Sequence, residues 1–321
     1  MWYPLVEYQR NCLAEVVIHG SLSWVEGEDE IHSLGGENLF YGRSLLKPFQ
    51  MKAIAKELDE SLTLEEKALT IASHNAEIAH LEIVAEMLSS NRKFLKTPPS
   101  GPLLVGSNNL KEKSSIQHPC SGKHAAILLA CELNRWSKEN YTTKEHAYHT
   151  VYLKELKKHL GENYSPTYTA TDGCGLSTLS FSLRELASLY SALVREREKD
   201  WVWRAAISCP NLIGGANRLD TYILRMCEGK VFAKEGADGL LGLGIEHPSY
   251  PKGLGIVIKL AHGWDMNAMS FVAFYILRSL GFPVDNIYSL EDQEAVVSVQ
   301  VTPSLKKNIT SNFYYEIKNF R

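Results

Sequence analysis

The chain has 321 residues and a formal net charge of −3, and its 45% hydrophobic and 22% charged residues sit close to the globular average. No Lys/Arg cluster is dense enough to track a nucleic-acid backbone, and no run of about 18 uncharged apolar residues occurs, so no nucleic-acid partner and no membrane span is expected. The opening Met1-Trp2-Tyr3-Pro4-Leu5-Val6-Glu7 lacks a basic region before an apolar core, and six cysteines without small-scaffold spacing read as reduced thiols; a cytoplasmic protein acting on a small soluble molecule is expected.

Residues 12–42 alternate short β-rich runs (15–18, 21–25, 30–33, 39–41) with Gly, Glu and Asp turns, the pattern of an antiparallel meander. From about residue 44 the spacing turns helical, with Leu45, Leu46, Phe49, Ile54 and Leu58 roughly on one face. Thr63-x-x-Glu66 reads as a capping box opening a helix through Ala72, and helices are predicted over 77–88, 121–133 and 144–160. Residues 168–172 read as a short strand ending in the turn Asp172-Gly173-Cys174-Gly175, and Ser182-x-x-Glu185 caps a helix running to about 194. After about 200 the β signals return at 231–234 and 255–260, followed by a helix near 267–279 and a last β-rich run at 295–301. This order predicts an α/β (α+β) fold in one unit, 1–321. An antiparallel sheet is built from both chain ends, 1–42 and about 200–321, around a mainly helical portion at about 43–199. A cleft where insertion meets sheet suits a ligand.

Arg43-Ser44-Leu45-Leu46-Lys47-Pro48 puts a serine three residues before a lysine at a strand-to-helix transition. On a helix those side chains share a face, and a partly buried amine can take the hydroxyl proton of a nucleophilic serine. Ser-x-x-Lys also arises by chance, so its partners decide its weight. Ser73-His74-Asn75 ends an apolar helix, and Lys234-Glu235-Gly236 ends a β-rich run. An ordinary helix-end serine and a solvated lysine are the simpler readings of each. Together they repeat, in order, the Ser-x-x-Lys, Ser-x-Asn and Lys-x-Gly elements of the serine β-lactamase and penicillin-binding class. Cys120-Ser121-Gly122-Lys123-His124 opens a helix, and Cys174 sits in the later turn. Two thiols and a nearby nitrogen make a partial zinc site, with His124 the alternative nitrogen and buried structural thiols the simpler reading. Cys12, Cys131, Cys209 and Cys227 lie in apolar surroundings and read as core.

On these residues the chain resembles the rhizobial-type L-asparaginase II family. The resembling segments are 43–50, 73–77, 120–125, 172–175, 233–239 and 253–259, in the family's order, with Cys-Ser-Gly-Lys-His the most specific. The resemblance implies a serine β-lactamase-like fold, hydrolysis of L-asparagine to aspartate and ammonia, and a homodimer. It implies Ser44 as nucleophile with Lys47 as base, Ser73 with a second lysine as the adjoining pair, and Zn²⁺ held by Cys120, Lys123 and Cys174. The second lysine is assigned to Lys234, with Lys259 in reserve. Arg43, Asp172, Gly173 and His124 are expected to line the substrate site. The chain departs from the family at 18–25, where an Arg-Gly and Glu-Ser-x-His pattern is usual, and at Ala76, Ala126 and Ser177, where Gly, Gly and Pro are usual. A glutaminase or another Ser-Lys amidohydrolase is the alternative within enzymes. A non-catalytic ligand- or zinc-binding protein on the same scaffold is the alternative outside them.

Overall fold

A computed structural model describes residues 1–11, 13–101, 113–263, 265–284 and 297–312. The strands are β1 (Tyr3–Arg10), β2 (Leu13–Glu26), β3 (Asp29–Leu34), β4 (Leu39–Tyr41), β5 (Thr169–Thr171), β6 (Ser177–Ser182), β7 (Val231–Gly236), β8 (Leu240–His247), β9 (Tyr250–Leu260) and β10 (Val297–Val301). The helices are α1 (Lys47–Lys52), α2 (Ala55–Leu58), α3 (Leu64–Ile71), α4 (Ile78–Leu88), α5 (Ser121–Leu133), α6 (Ala147–Leu160), α7 (Leu183–Arg195), α8 (Trp201–Ser208), α9 (Pro210–Ile213), α10 (Leu219–Met226), α11 (Met266–Ser279) and α12 (Pro303–Asn312). The chain divides into two compact units, one of 1–40, 182–194 and 226–321, the other of 41–181 and 195–225. Among the described residues no helix is long and apolar enough to cross a membrane.

The first unit is a seven-stranded antiparallel sheet in the order β10-β1-β2-β9-β8-β7, with β3 paired to the far end of β2. Both chain ends thus supply strands: β1 pairs β10 through Val6↔Val301 to Arg10↔Val297. Strands β8 and β9 are apolar on both faces and almost wholly buried, because side chains alternate while helices cover the sheet. Helix α7 lies against β9 so closely that a Cβ on Gly255 would meet the Ala187 carbonyl at 1.9 Å, so only glycine fits there. The start of α7 is fixed by its own box: Ser182 N donates to Glu185 Oε2 at 2.7 Å, and Glu185 N to Ser182 Oγ at 3.1 Å.

The second unit is mostly helical. Thr63 and Glu66 form the expected capping box at α3. Helix α3 packs on α4, α5 and α8, burying Leu69, Ile71, Ala125, Leu128 and Val202. Strands β5 and β6 form a small antiparallel pair, Thr169↔Leu179 to Thr171↔Ser177. Trp201 in α8 donates its indole N–H to Ala55 O at 2.9 Å, tying α8 to α2.

Several elements differ from the sequence expectation. The runs at 15–18 and 21–25 are one strand, β2, and β1 precedes them. The segment 201–226 is helical, not β-rich. The run at 240–247, for which no element was expected, is strand β8. The helical spacing after residue 44 is broken into a 3-10 turn, α1 and α2. Residues 295–296 of the last β-rich run, and Cys12, lie outside the described residues.

Candidate active site

Ser44 lies in the 3-10 turn Arg43–Leu46, directly before α1. Three residues per turn eclipse positions i and i+3, so Ser44 and Lys47 share one side of the turn, and Lys47 N donates to Ser44 O. Arg43, just before the serine, holds φ +47°, a left-handed conformation that a non-glycine residue adopts at a cost, and such strain gathers at functional sites. Ser44 is half-buried.

Lys47 is fully buried. Its Nζ donates to Ser73 Oγ at 3.0 Å, to Pro119 O at 3.4 Å and to the Ala72 carbonyl. The first and second Ser/Lys elements are therefore brought together by one ammonium. The loop carrying Ser73 leaves the end of α3 and is held by its own histidine. Ala76 N–H donates to His74 Nδ1 at 3.1 Å, so the other ring nitrogen, Nε2, carries the proton and gives it to Ser121 Oγ at 2.8 Å. Ser121 in turn donates to Ile116 O at 2.8 Å. Burial, reinforced by His80 and Lys47, pushes the His74 imidazole down to about 3, so it stays neutral and acts as a strut. Ala76 holds φ +60°. Ala76→Gly is expected to stabilise the protein by about 0.5–1 kcal/mol, because glycine relieves the left-handed strain at a smaller entropic cost. Urea unfolding midpoints measure this, and a destabilised variant would show that the Ala76 methyl packs favourably.

The cysteine set converges in the same unit. Cys120 caps α5, and Cys120 and Cys174 are buried, as is Lys123. Lys123 Nζ lies 3.5 Å from Cys174 Sγ. A hydrogen bond from the Cys174 thiol, with the Lys47 and Lys123 ammonium groups, holds the Cys120 thiol well below its usual range despite burial. That same hydrogen bond, with burial, holds Cys174 up as the donor thiol. Burial opposes the Lys123 charge, but the two sulfurs and Asp172 outweigh it and raise its pKa. A metal ion with S and N ligands at ordinary zinc distances needs an S···N edge of about 3.6 Å, and the Lys123–Cys174 separation matches one such edge.

Arg43 Nε pairs with Asp172 Oδ1 at 2.6 Å. Asp172 also shapes its turn, accepting Gly173 N at Oδ1 (2.7 Å) and Gly175 N at its carbonyl (2.8 Å). Arg43 and Asp172, both expected to line the substrate site, therefore hold each other, while Gly173 is exposed. His124 is fully buried in α5. Tyr141 OH accepts Lys96 N–H at 3.0 Å and lies 2.8 Å from His124 Nδ1. Burial first, then Lys123, keeps His124 neutral. Cys131 and Cys227 are buried and Cys209 half-buried.

Lys234 and Lys259 belong to the sheet unit. Lys234, on β7, is fully buried and donates to Glu235 O at 2.9 Å. Lys259, on β9, donates to Asp238 O at 2.7 Å and Leu260 O at 2.5 Å. Its Nζ stands 5.6 Å and 5.5 Å from the rings of Trp2 and Phe40, and burial lowers its pKa. The sequence reading missed Arg218, whose Nη1 donates to Ser73 O at 2.8 Å and Asn75 Oδ1 at 3.1 Å. The local signal was the run Gly214-Gly215-Ala216-Asn217-Arg218, which marks a turn but names no partner. It also missed His118, whose Nδ1 accepts Cys120 N–H at 3.1 Å.

The L-asparaginase II family model matches residues 6–308. No curated protein matches the chain. Among solved structures 14 chains match. One is a probable glutaminase from Bacillus subtilis complexed with 6-diazo-5-oxo-L-norleucine, 16% identical over 83% of this chain and 85% of that one, with a TM-score of 0.38.

Proposed function

The chain belongs to the L-asparaginase II family, and on that premise we propose that it hydrolyses L-asparagine to L-aspartate and ammonia through an acyl-enzyme on Ser44. The family makes it an amidohydrolase. The observation that carries the finer reading is Lys47, buried and bonded to Ser73 Oγ at 3.0 Å, with Ser44 one 3-10 turn before it. In its neutral form Lys47 takes the Ser44 hydroxyl proton as the oxygen attacks the side-chain amide carbon. The Ser44 backbone N–H is the proposed oxyanion donor. Ser73 and Lys234 pass a proton to the departing ammonia, and water then cleaves the ester. Lys259 stays the reserve for that second lysine; burial lowers its pKa, which weakens its hold on the proton. A homodimer is proposed with this activity on the family resemblance, and a cytoplasmic location on the cysteine pattern.

The same observation favours one second reading. Lys47 is bonded to Ser73, so Ser73 is the competing nucleophile with Lys47 as its base. The substrate is tested by ammonia release from L-asparagine and L-glutamine side by side. Faster turnover of asparagine is expected. Faster turnover of glutamine would replace the substrate, and ligand binding without turnover of either would point to a non-catalytic protein.

Zn²⁺ is proposed at Cys120, Lys123 and Cys174. When bound it supplies a fixed positive charge and ties α5 to the turn after β5, displacing protons from the thiols and the amine. Cys174→Ser is expected to weaken zinc retention about tenfold or more, read by metal analysis after dialysis against a chelator. Chelation is expected to lower the thermal midpoint of the wild-type protein and leave that of the variant unmoved. Equal zinc content and equal midpoints would refute the site.

A further inference from the structure

We infer that Arg218 is a positioning residue for Ser73, keeping its hydroxyl at hydrogen-bond distance from Lys47; this rests on the Ser–Lys reading above. Ser73 to Asn75 runs beside the segment before α10 as a short ladder. Ser73 N donates to Ile213 O at 2.8 Å, and Asn75 N to Gly214 O at 2.9 Å. Asn75 Nδ2 adds a bond to Ala216 O at 3.0 Å. Arg218 closes the ladder through one nitrogen, which donates to both Ser73 O and Asn75 Oδ1.

The supporting segment is itself fixed. Ala216 N donates to Glu77 Oε1 at 2.7 Å, Gly215 N to Thr221 Oγ1 at 3.2 Å, and Tyr222 N to Arg218 O at 3.0 Å. Arg218 therefore reaches the Ser73 carbonyl from a segment that is itself fixed by several bonds. Ser73 is 6% exposed, so water is poorly placed to replace the charged donor at its carbonyl. The Ser73 backbone is thus held at N by Ile213 and at O by Arg218, and its side chain by Lys47. Both ends of the Asn75 amide are engaged on the same segment, so Asn75 reports the position of this loop. Loss of the O-side hold lets the hydroxyl drift, and a displacement of about 1 Å can lower turnover by about 10²-fold.

Arg218→Ala and Arg218→Lys are the variants, assayed for ammonia release from L-asparagine beside Ser73→Ala. For Arg218→Ala, kcat is expected to fall about tenfold or more with KM changed less than about threefold, and millimolar guanidinium is expected to restore part of it. Arg218→Lys keeps the charge but not the reach to both acceptors, and is expected to stay impaired; it carries the test if the alanine variant does not fold. Wild-type kcat in the Arg218 variants with an inactive Ser73→Ala would overturn the role of Arg218 and leave the Ser–Lys reading standing. A loss of kcat that guanidinium does not restore and that follows the loss of folded protein would overturn it too. Full turnover in Ser73→Ala would instead remove the Ser73 part of that reading.

Discussion

Ser44→Ala is expected to release ammonia from L-asparagine at least about 10³-fold more slowly than the wild type, because a serine nucleophile and its base act as one unit. Its unfolding free energy is expected to stay within about 0.5 kcal/mol of the wild type. Ser44 is half-buried at the start of a short turn, and the bonds of Lys47 to Ala72, Ser73 and Pro119 do not use its hydroxyl. Ser73→Ala is different in kind. It removes one of the buried partners of Lys47 and is expected to cost both rate and stability, by about 1–3 kcal/mol for the orphaned ammonium bond. Activity assays paired with urea unfolding separate the two serines. A Ser44→Ala protein with near-normal turnover would transfer the nucleophile to Ser73.

Gly122→Ala is expected to destabilise the protein by about 2–3 kcal/mol, the upper part of the usual range for overpacking. Gly122 sits in the first turn of α5, between Cys120 and Lys123, where α5 meets α3. An added Cβ would lie 2.4 Å from the Leu69 carbonyl oxygen and 3.0 Å from Leu69 Cγ. Because the closest atom is backbone, the clash moves a helix and not a rotamer. Helix α3 ends where the Ser73 loop begins, and α5 carries Cys120 and Lys123, so the same seam spaces the serine–lysine pair from the cysteine set. Zinc affinity is therefore expected to fall about tenfold alongside stability. Denaturant unfolding with and without added zinc reads both. A variant with wild-type stability would mean that α3 and α5 separate here at little cost.

Features with local causes were legible in the sequence. The boxes Thr63/Glu66 and Ser182/Glu185 each satisfy backbone donors within three residues, and both form as the pattern states. Helix α5 needs only its apolar spacing after Cys120. Strand β8 was not legible, because Gly242 and Gly244 inside Leu240–Ile245 imitate a turn when the covering helices are unknown. Helix α8 was missed for the opposite reason. Trp201-Val202-Trp203 favours a strand locally, but Asp200 caps Val202 N at 2.9 Å and the tryptophans are buried, so packing overrides propensity.

At the site, residue types were legible and partners were not. Ser44, Lys47 and Ser73 were singled out by the order of their motifs, and Cys120, Lys123 and Cys174 by the family resemblance. The Arg43–Asp172 ion pair and the Arg218 bonds join positions far apart in the chain, and nothing in either local sequence encodes the match. The bond from Lys47 to Ser73 is of the same kind, and it turns two separate motifs into one hydrogen-bonded group.

The most direct test of Ser44 as nucleophile is to quench the wild-type protein during turnover of L-asparagine and map the modified peptide by mass spectrometry. An aspartyl ester on Ser44, absent from Ser44→Ala, is the expected result. The same ester on Ser73 would contradict it.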